Sequence, residues 1–247
     1  MAVSDGLARR SALNLCPNAE SNIECVHCGV RRLSVCGVLD DDELLALDRL
    51  SRAICFPAKR TLLQQDEPAD FVHNITSGAV RLYKLLPDGR RQIIGFALPG
   101  DFLGLSLSES NAFSADALTM VTACQFTRYA FSDFLDSNPH FLRRLHSMAS
   151  HELSLAQDQM VLLGRRSAEE KVAAFLIGLR KRWARIDGSS LNVPLPMTRQ
   201  DIGDFLGLTV ETVSRMLSRF ARQKALVIVP DGVRLIDVER MERLAES

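Results

Sequence analysis

The chain has 247 residues, 47% of them hydrophobic, enough to bury a real core in one large domain or two modest ones. It has no apolar run of roughly 18 residues and no charged-then-apolar start, so no membrane span or secretory signal is expected and the cytoplasm is the expected compartment. Thirty cations balance thirty anions, which argues against indiscriminate polyanion binding, yet residues 1–164 carry 15 Lys and Arg against 19 Asp and Glu while residues 165–247 carry 15 against 11, a bias that favours steering toward phosphate.

The first forty residues are polar, lack clear periodicity and are rich in cysteine: Cys16, Cys25, Cys28 and Cys36. Cys25 and Cys28 have two residues between them, Cys36 follows after seven more, and Gly29 lets the backbone turn. In a reducing compartment clustered thiols more often serve metal or redox chemistry than disulfides. The spacing leaves three readings open: spare buried thiols, a zinc site completed by His27, or an iron–sulfur cluster that needs a fourth cysteine. Cys55, between apolar neighbours in AICFPA, reads as an ordinary buried thiol.

Asp40–Arg52 begins with acids and carries Leu44, Leu47 and Leu50 at helical spacing, so it reads as a short amphipathic helix. From Ile54 to Phe131 short strands are expected at 61–65, 71–76, 79–85, 91–97 and 123–130, broken at Ser77-Gly78, Asp88-Gly89 and Pro99-Gly100-Asp101. Such a pattern suggests a small antiparallel barrel or jelly roll. Asn138 as cap and Pro139 at the first turn open a long helix that runs to Gly164, about 39 Å. Leu142, Leu145, Ala149, Leu153, Ala156, Met160 and Leu163 form a stripe at coiled-coil period, read as a homodimer seam, and Phe141, Met148, Leu155 and Leu162 form a second stripe for the roll. A further helix at 167–185 has Ser167 and Glu170 as a capping box and ends in Arg180-Lys181-Arg182, which suit the helix dipole and a phosphate contact.

Thr198–Gln223 reads as two helices joined by a turn too tight for anything but a helix-turn-helix. Thr198 with Asp201 makes a capping box, Gly207 falls where a left-handed residue must stop the first helix, and Thr209 caps the second. Val213, Met216, Leu217 and Phe220 face inward and leave Glu211, Ser214, Arg215, Ser218, Arg219 and Arg222 outward, side chains able to read bases and hold phosphates in a major groove. Two apolar runs around Asp231-Gly232 then form a hairpin, which makes the unit a winged helix, and the last helix reads as a surface cap. No nucleophile elbow, phosphate loop or paired catalytic carboxylates occur in a usable context, so no enzyme is expected.

The segment LTVETVSRMLSRF resembles the recognition helix of the FNR/FixK branch of the cyclic-AMP-receptor superfamily of bacterial transcription regulators. The resemblance implies that Glu211, Ser214 and Arg215 read a TTGAT-like half-site of an inverted repeat, with Arg219, Thr198, Arg199 and Thr209 as further DNA contacts. Cysteine-bearing members share this N-terminal spacing and take their fourth ligand far downstream, where Cys124 stands in LTMVTACQFTRY. A [4Fe-4S] cluster on Cys25, Cys28, Cys36 and Cys124 is the implied cofactor, Cys16 is the runner-up ligand, and structural zinc is the alternative. The turn Pro87–Arg91 resembles the family's RNA polymerase loop, so Asp88, Gly89 and Arg90 are the implied contact. Nucleotide-binding members carry Arg-Ser where GDFLGLSLSESNAFSADALT has no cation and three acids, Asp101, Glu109 and Asp116, so a cyclic nucleotide is not expected. The expected architecture is α+β: a cysteine segment over 1–38, a cyclic-nucleotide-binding-like β-roll over 39–137, a dimerisation helix over 138–164 and a winged helix-turn-helix over 165–247. The implied function is an oxygen-responsive, homodimeric transcription activator.

Overall fold

The computed structural model describes residues 25–105, 108–188 and 191–246, so Cys16 lies outside the described residues. The chain forms two compact units, one running to Met148 save for Arg91–Ile93 and one from Ala149 onward.

The first unit opens on two 3-10 turns, Cys25–His27 and Val35–Val38, the second capped by Ser34, whose hydroxyl accepts from the Cys36 amide at 3.2 Å. This stretch, read as polar and without clear periodicity, is packed. Val30, Val35 and Leu39 are buried, and full burial of each such side chain is worth about 1.5–3 kcal/mol. Helix α1 (Asp41–Leu50) starts at a capping box between Asp40 and Glu43. Leu44 and Leu47 are buried, whereas Leu50, expected inward, is exposed at the last turn.

Eight strands follow: β1 (Ser51–Phe56), β2 (Thr61–Leu63), β3 (Phe71–Ser77), β4 (Val80–Leu85), β5 (Arg91–Ala97), β6 (Phe102–Leu103), β7 (Ser114–Ala117) and β8 (Val121–Thr127). They form two four-stranded sheets, ordered β1-β8-β3-β6 and β2-β7-β4-β5. Ile75, Val80, Leu103, Ala115, Val121 and Ala123 fill one core of this roll. The last strand does not run on to Ala130. It stops at Thr127, whose hydroxyl caps helix α2 (Arg128–Ser137), because Phe131 and Phe134 bury together only at helical spacing. Helix α3 (Pro139–Arg165) then runs for 27 residues. Asn138 stands at its N-cap position, its carbonyl accepting from the Leu142 amide at 3.1 Å, but its side chain turns back: Nδ2 donates to the Phe134 carbonyl at 2.8 Å and closes α2.

The second unit holds the rest of α3, helix α4 (Ala168–Asp187), β9 (Asn192–Pro194), α5 (Arg199–Leu206), α6 (Val210–Arg222), β10 (Leu226–Val229), β11 (Gly232–Leu235) and α7 (Val238–Glu246). The capping box of Ser167 and Glu170 is present, and Val172, Phe175, Leu176 and Leu179 are buried as their spacing requires. Lys171, also buried, donates from Nζ to the Leu163 carbonyl at 3.0 Å and satisfies the end of α3. The wing is a three-stranded sheet ordered β10-β11-β9, one strand more than the hairpin read from sequence. Trp183 pins that extra strand by donating from Nε1 to the Pro194 carbonyl at 3.2 Å. The architecture is α+β, a cyclic-nucleotide-binding-like roll, a long helix and a winged helix-turn-helix. Among the described residues no helix is long and apolar enough to cross a membrane.

Candidate nucleic-acid interface and metal centre

The helix-turn-helix is built by local chemistry. Asp201, buried, accepts from the Thr198 amide at 2.9 Å and from its hydroxyl at 2.7 Å. Gly207 ends α5 at φ +63°, and a side chain at Gly203 would put a Cβ 2.6 Å from the Leu208 carbonyl oxygen. Only glycines let the two helices approach this closely. Thr209 caps α6 by accepting from the Thr212 amide at 3.2 Å. Ile202, Leu206, Val213, Leu217 and Phe220 are buried between the helices, while Met216, expected inward, is half-buried.

The opposite face of α6 presents Glu211, Arg215, Ser218, Arg219 and Arg222 exposed and Ser214 half-exposed; Thr198, Arg199 and Thr209 are exposed beside it. Backbone and Thr209 hydrogen bonds at the first turn hold the Glu211 carboxyl below its usual range, so it is an anion next to Arg215. Arg199 donates to the Ser214 hydroxyl at 3.1 Å, which ties a cation of α5 to the middle of α6. Arg219 is not loose. It forms an ion pair with Glu169 at 3.0 Å, a partner that sequence reading missed. Arg180, expected near phosphate, pairs instead with Glu242 of α7 at 3.0 Å, so that helix does more than cap a surface.

In the first unit Cys25, Cys28, Cys36 and Cys124 are free thiols. Cys25 and Cys36 are built into one apolar cluster with Leu44, Leu47, Phe141 and Leu145, and Cys124 packs against it. Cys124 sits at the centre of its sheet, opposite Ala53 of β1 and Asn74 of β3. Burial pushes the Cys36 thiol up to about 11 and the Cys124 thiol up to about 12. Cys25 is raised further, by burial first, then by a hydrogen bond to Asp48 and by the charge of Cys124. Each raised thiol is pushed further by charge on its neighbours, Cys28 acting on Cys36 and Cys124. Four sulfurs that repel one another as anions suit a cationic centre that would neutralise them. Among the described residues no three metal-ligating side chains are drawn together around a single ion. His27, the candidate zinc ligand, is exposed at the end of its turn. Cys55, read as an ordinary buried thiol, is instead half-buried on β1 and disulfide-bonded.

Of the seam residues, Leu142, Ala149, Leu153, Ala156, Met160 and Leu163 are exposed, with Leu153 at 60% and Met160 at 68%. Leu145 is the correction: it is buried with Phe141 one turn before it. Asp88 accepts from the Arg90 amide at 3.0 Å and pairs with its guanidinium at 2.7 Å, around Gly89 at φ +81°. In the roll Asp116 is paired with Arg81 at 2.9 Å and accepts from Thr61 at 2.8 Å. The repulsion expected from Asp116 is thus offset by a cation on the next strand. A nearby cavity of about 190 Å³ is lined by Leu63, Phe102, Leu105, Phe113 and Asn111 among others, an apolar lining with few groups for a phosphate.

Comparison with known proteins agrees with the two domains of this fold. The family described as cyclic nucleotide-binding domain matches residues 53–138, and that described as Crp-like helix-turn-helix domain matches residues 170–245. The chain is 55% identical to the transcriptional activatory protein AadR of Rhodopseudomonas palustris, covering 90% of this chain and 92% of that one. It is 51% identical to the nitrogen fixation regulation protein FixK of Bradyrhizobium diazoefficiens, covering 90% and 94%. The structure of FixK2 from Bradyrhizobium japonicum superposes with a TM-score of 0.73 at 38% identity, over 78% of this chain and 96% of that one. The chain therefore belongs to the FNR/FixK group of the cyclic-AMP-receptor superfamily, whose members are DNA-binding transcription regulators and not enzymes.

Proposed function

We propose that this protein is an oxygen-responsive transcription activator that binds a TTGAT-type inverted repeat as a homodimer, under the control of a [4Fe-4S] cluster on Cys25, Cys28, Cys36 and Cys124. The observation that carries the reading is the shared core: two of the thiols are packed with Phe141 and Leu145 of α3, and a third lies against them. Whatever ties or releases these sulfurs therefore acts on the first turns of the helix that bears the dimer seam. The cluster, when bound, supplies oxidisable irons and sulfides that need four thiolates. Once those thiolates are released, the segment from Cys25 to Leu39 is no longer tied to β8, and α3 loses a fixed support. One equilibrium then serves two sites, as allosteric control requires.

The domains divide this work as 1–38 for the cluster, 39–137 for the roll, 138–164 for dimerisation and 165–247 for DNA. Glu211, Ser214 and Arg215 read bases; Arg199, Thr198, Thr209 and Arg219 support the contact, and Asp88, Gly89 and Arg90 meet RNA polymerase. A cyclic nucleotide is not its ligand, given the apolar lining of the roll cavity. It acts in the cytoplasm on genes of anaerobic or microaerobic metabolism; the name of the FixK relative supports nitrogen fixation as a target, and that of the fumarate and nitrate reduction regulatory protein of Escherichia coli, 33% identical, supports respiration.

The alternative is structural zinc. A tetrahedral zinc about 2.3 Å from each sulfur would draw its ligands to within roughly 4 Å of one another. Iron and acid-labile sulfide assays on anaerobically purified protein decide between them. A brown protein that bleaches in air is expected, and Cys25→Ser, Cys28→Ser, Cys36→Ser or Cys124→Ser should each abolish the colour while Cys55→Ser does not. A colourless protein with one zinc per chain overturns the reading. Full cluster content in Cys124→Ser overturns the ligand set, and loss in Cys16→Ser promotes that residue.

A further inference from the structure

Among the described residues, Asn74 is the carboxamide set beside two of the four thiols. It lies in mid-β3, 2% exposed, opposite Cys124 on one side and Phe102 on the other. Its Nδ2 donates to the Cys36 Sγ at 3.9 Å, the long end for a sulfur acceptor, and its Oδ1 has no partner among the described residues. A buried amide oxygen left in this way carries its full desolvation penalty, which an apolar residue of the same shape would avoid. What the amide gains in return is its donor on the sulfur. A neutral thiol is a weak acceptor, whereas a thiolate bound to a metal is a strong one. Hydrogen bonds to ligating sulfurs draw negative charge off the centre, stabilise its more reduced state and raise its potential.

We infer that Asn74 is a positioning residue of the cysteine centre, its N–H group donating to the Cys36 sulfur and slowing oxidation of the bound cluster. The inference rests on the cluster reading given above. Burial matters to it, because a donor in a core closed to water has no competitor for the sulfur.

The test uses full-length, anaerobically loaded wild type, Asn74→Leu and Asn74→Ala, which remove the donor, and Asn74→Ser, which keeps a shorter one. The readouts are iron content, the rate of loss of visible absorbance in air, and the midpoint potential. The donor-free variants should load fully, show a more negative potential and bleach roughly tenfold faster, a size typical of outer-shell partners; Asn74→Ser should fall between. A loaded wild type whose leucine and alanine variants match it in potential and bleaching rate overturns the role of Asn74 alone. A wild type without iron or sulfide overturns the cluster reading, and this inference with it. If the donor-free variants fold but do not load, loading restored in Asn74→Ser supports the role and a serine variant that also fails overturns it.

Discussion

His140 Nε2 lies 3.1 Å from the Oε2 of Glu43, the same oxygen that accepts from the Asp40 amide at 2.9 Å to complete the capping box of α1. One carboxylate thus holds the first turn of α1 and the first turn of α3 together. The cysteine segment reaches the same place from the other side, since Arg31, between Cys28 and Cys36, donates to the Leu39 carbonyl at 2.9 Å. The expected outcome of Glu43→Ala is a loss of about 1 kcal/mol from the cap. His140→Ala should cost less, because a partly exposed pair contributes roughly 0.2–1 kcal/mol. Urea unfolding of both single variants and the double variant measures the coupling. Strictly additive losses would show that the two helices do not share this oxygen in solution.

The seam makes a sharper demand. Leu153→Glu or Met160→Glu should give a folded monomer with weak DNA binding, because the exposed stripe would then set like charges against each other across a two-fold axis. Leu145→Glu should behave differently and unfold the first unit, since that side chain is buried beside Phe141. Sedimentation velocity and circular dichroism separate the outcomes. An unchanged sedimentation coefficient for Leu153→Glu would count against the seam.

What could be read from the chain was what local chemistry decides. The helix-turn-helix was legible because Thr198, Asp201, Gly207 and Thr209 each act within a few residues of themselves. The extra strand β9 was not, because Asn192–Pro194 is held by register with β11 some forty residues on. Helix α2 reads as more strand because Thr127 both ends β8 and caps the helix after it, and one residue carries no signal for which role comes last. Spacing marked three cysteines as a site; Cys124 came from resemblance. The partners Asn74 and Asp48 came from neither, since only the folded sheet and α1 bring them to the sulfurs. Leu145 fitted the seam by period, and packing with Phe141 overrode it.

Acid should loosen the roll through His73. Buried on β3, with Nδ1 unpartnered among the described residues, it is lowered by burial to about 4. Its ordinary value is near 6.5, so the unfolded chain takes up a proton that the folded chain refuses between those limits. The stability is present above pH 6.5 and is lost as pH falls toward 4, by about 3 kcal/mol. Urea midpoints of the cluster-free protein from pH 7 to pH 4.5 should fall more steeply for wild type than for His73→Gln. Parallel slopes would mean that His73 takes up its proton while folded.

The pairing of Arg219 with Glu169 bears on how α6 holds DNA. A guanidinium that must leave a carboxylate to reach a phosphate contributes only the difference between the two contacts. Glu169→Gln should therefore raise affinity for all sequences alike and steepen the salt dependence by about one phosphate contact. Arg222→Ala should do the reverse, weakening all sequences and lowering the slope by about one. Arg215 stands mid-face beside the Glu211 anion, and no ion pair within the described residues claims it. Arg215→Ala should cost on the order of 1–3 kcal/mol at a TTGAT-type half-site and flatten the preference for its guanine, because a bidentate base contact discriminates and a phosphate contact does not. Glu211→Ala should keep or raise non-specific affinity while relaxing choice at one base pair. Binding of every single-base variant of an inverted-repeat site at two salt concentrations resolves the four. An Arg215→Ala protein that loses affinity equally for every variant would show that sequence is read elsewhere on this face.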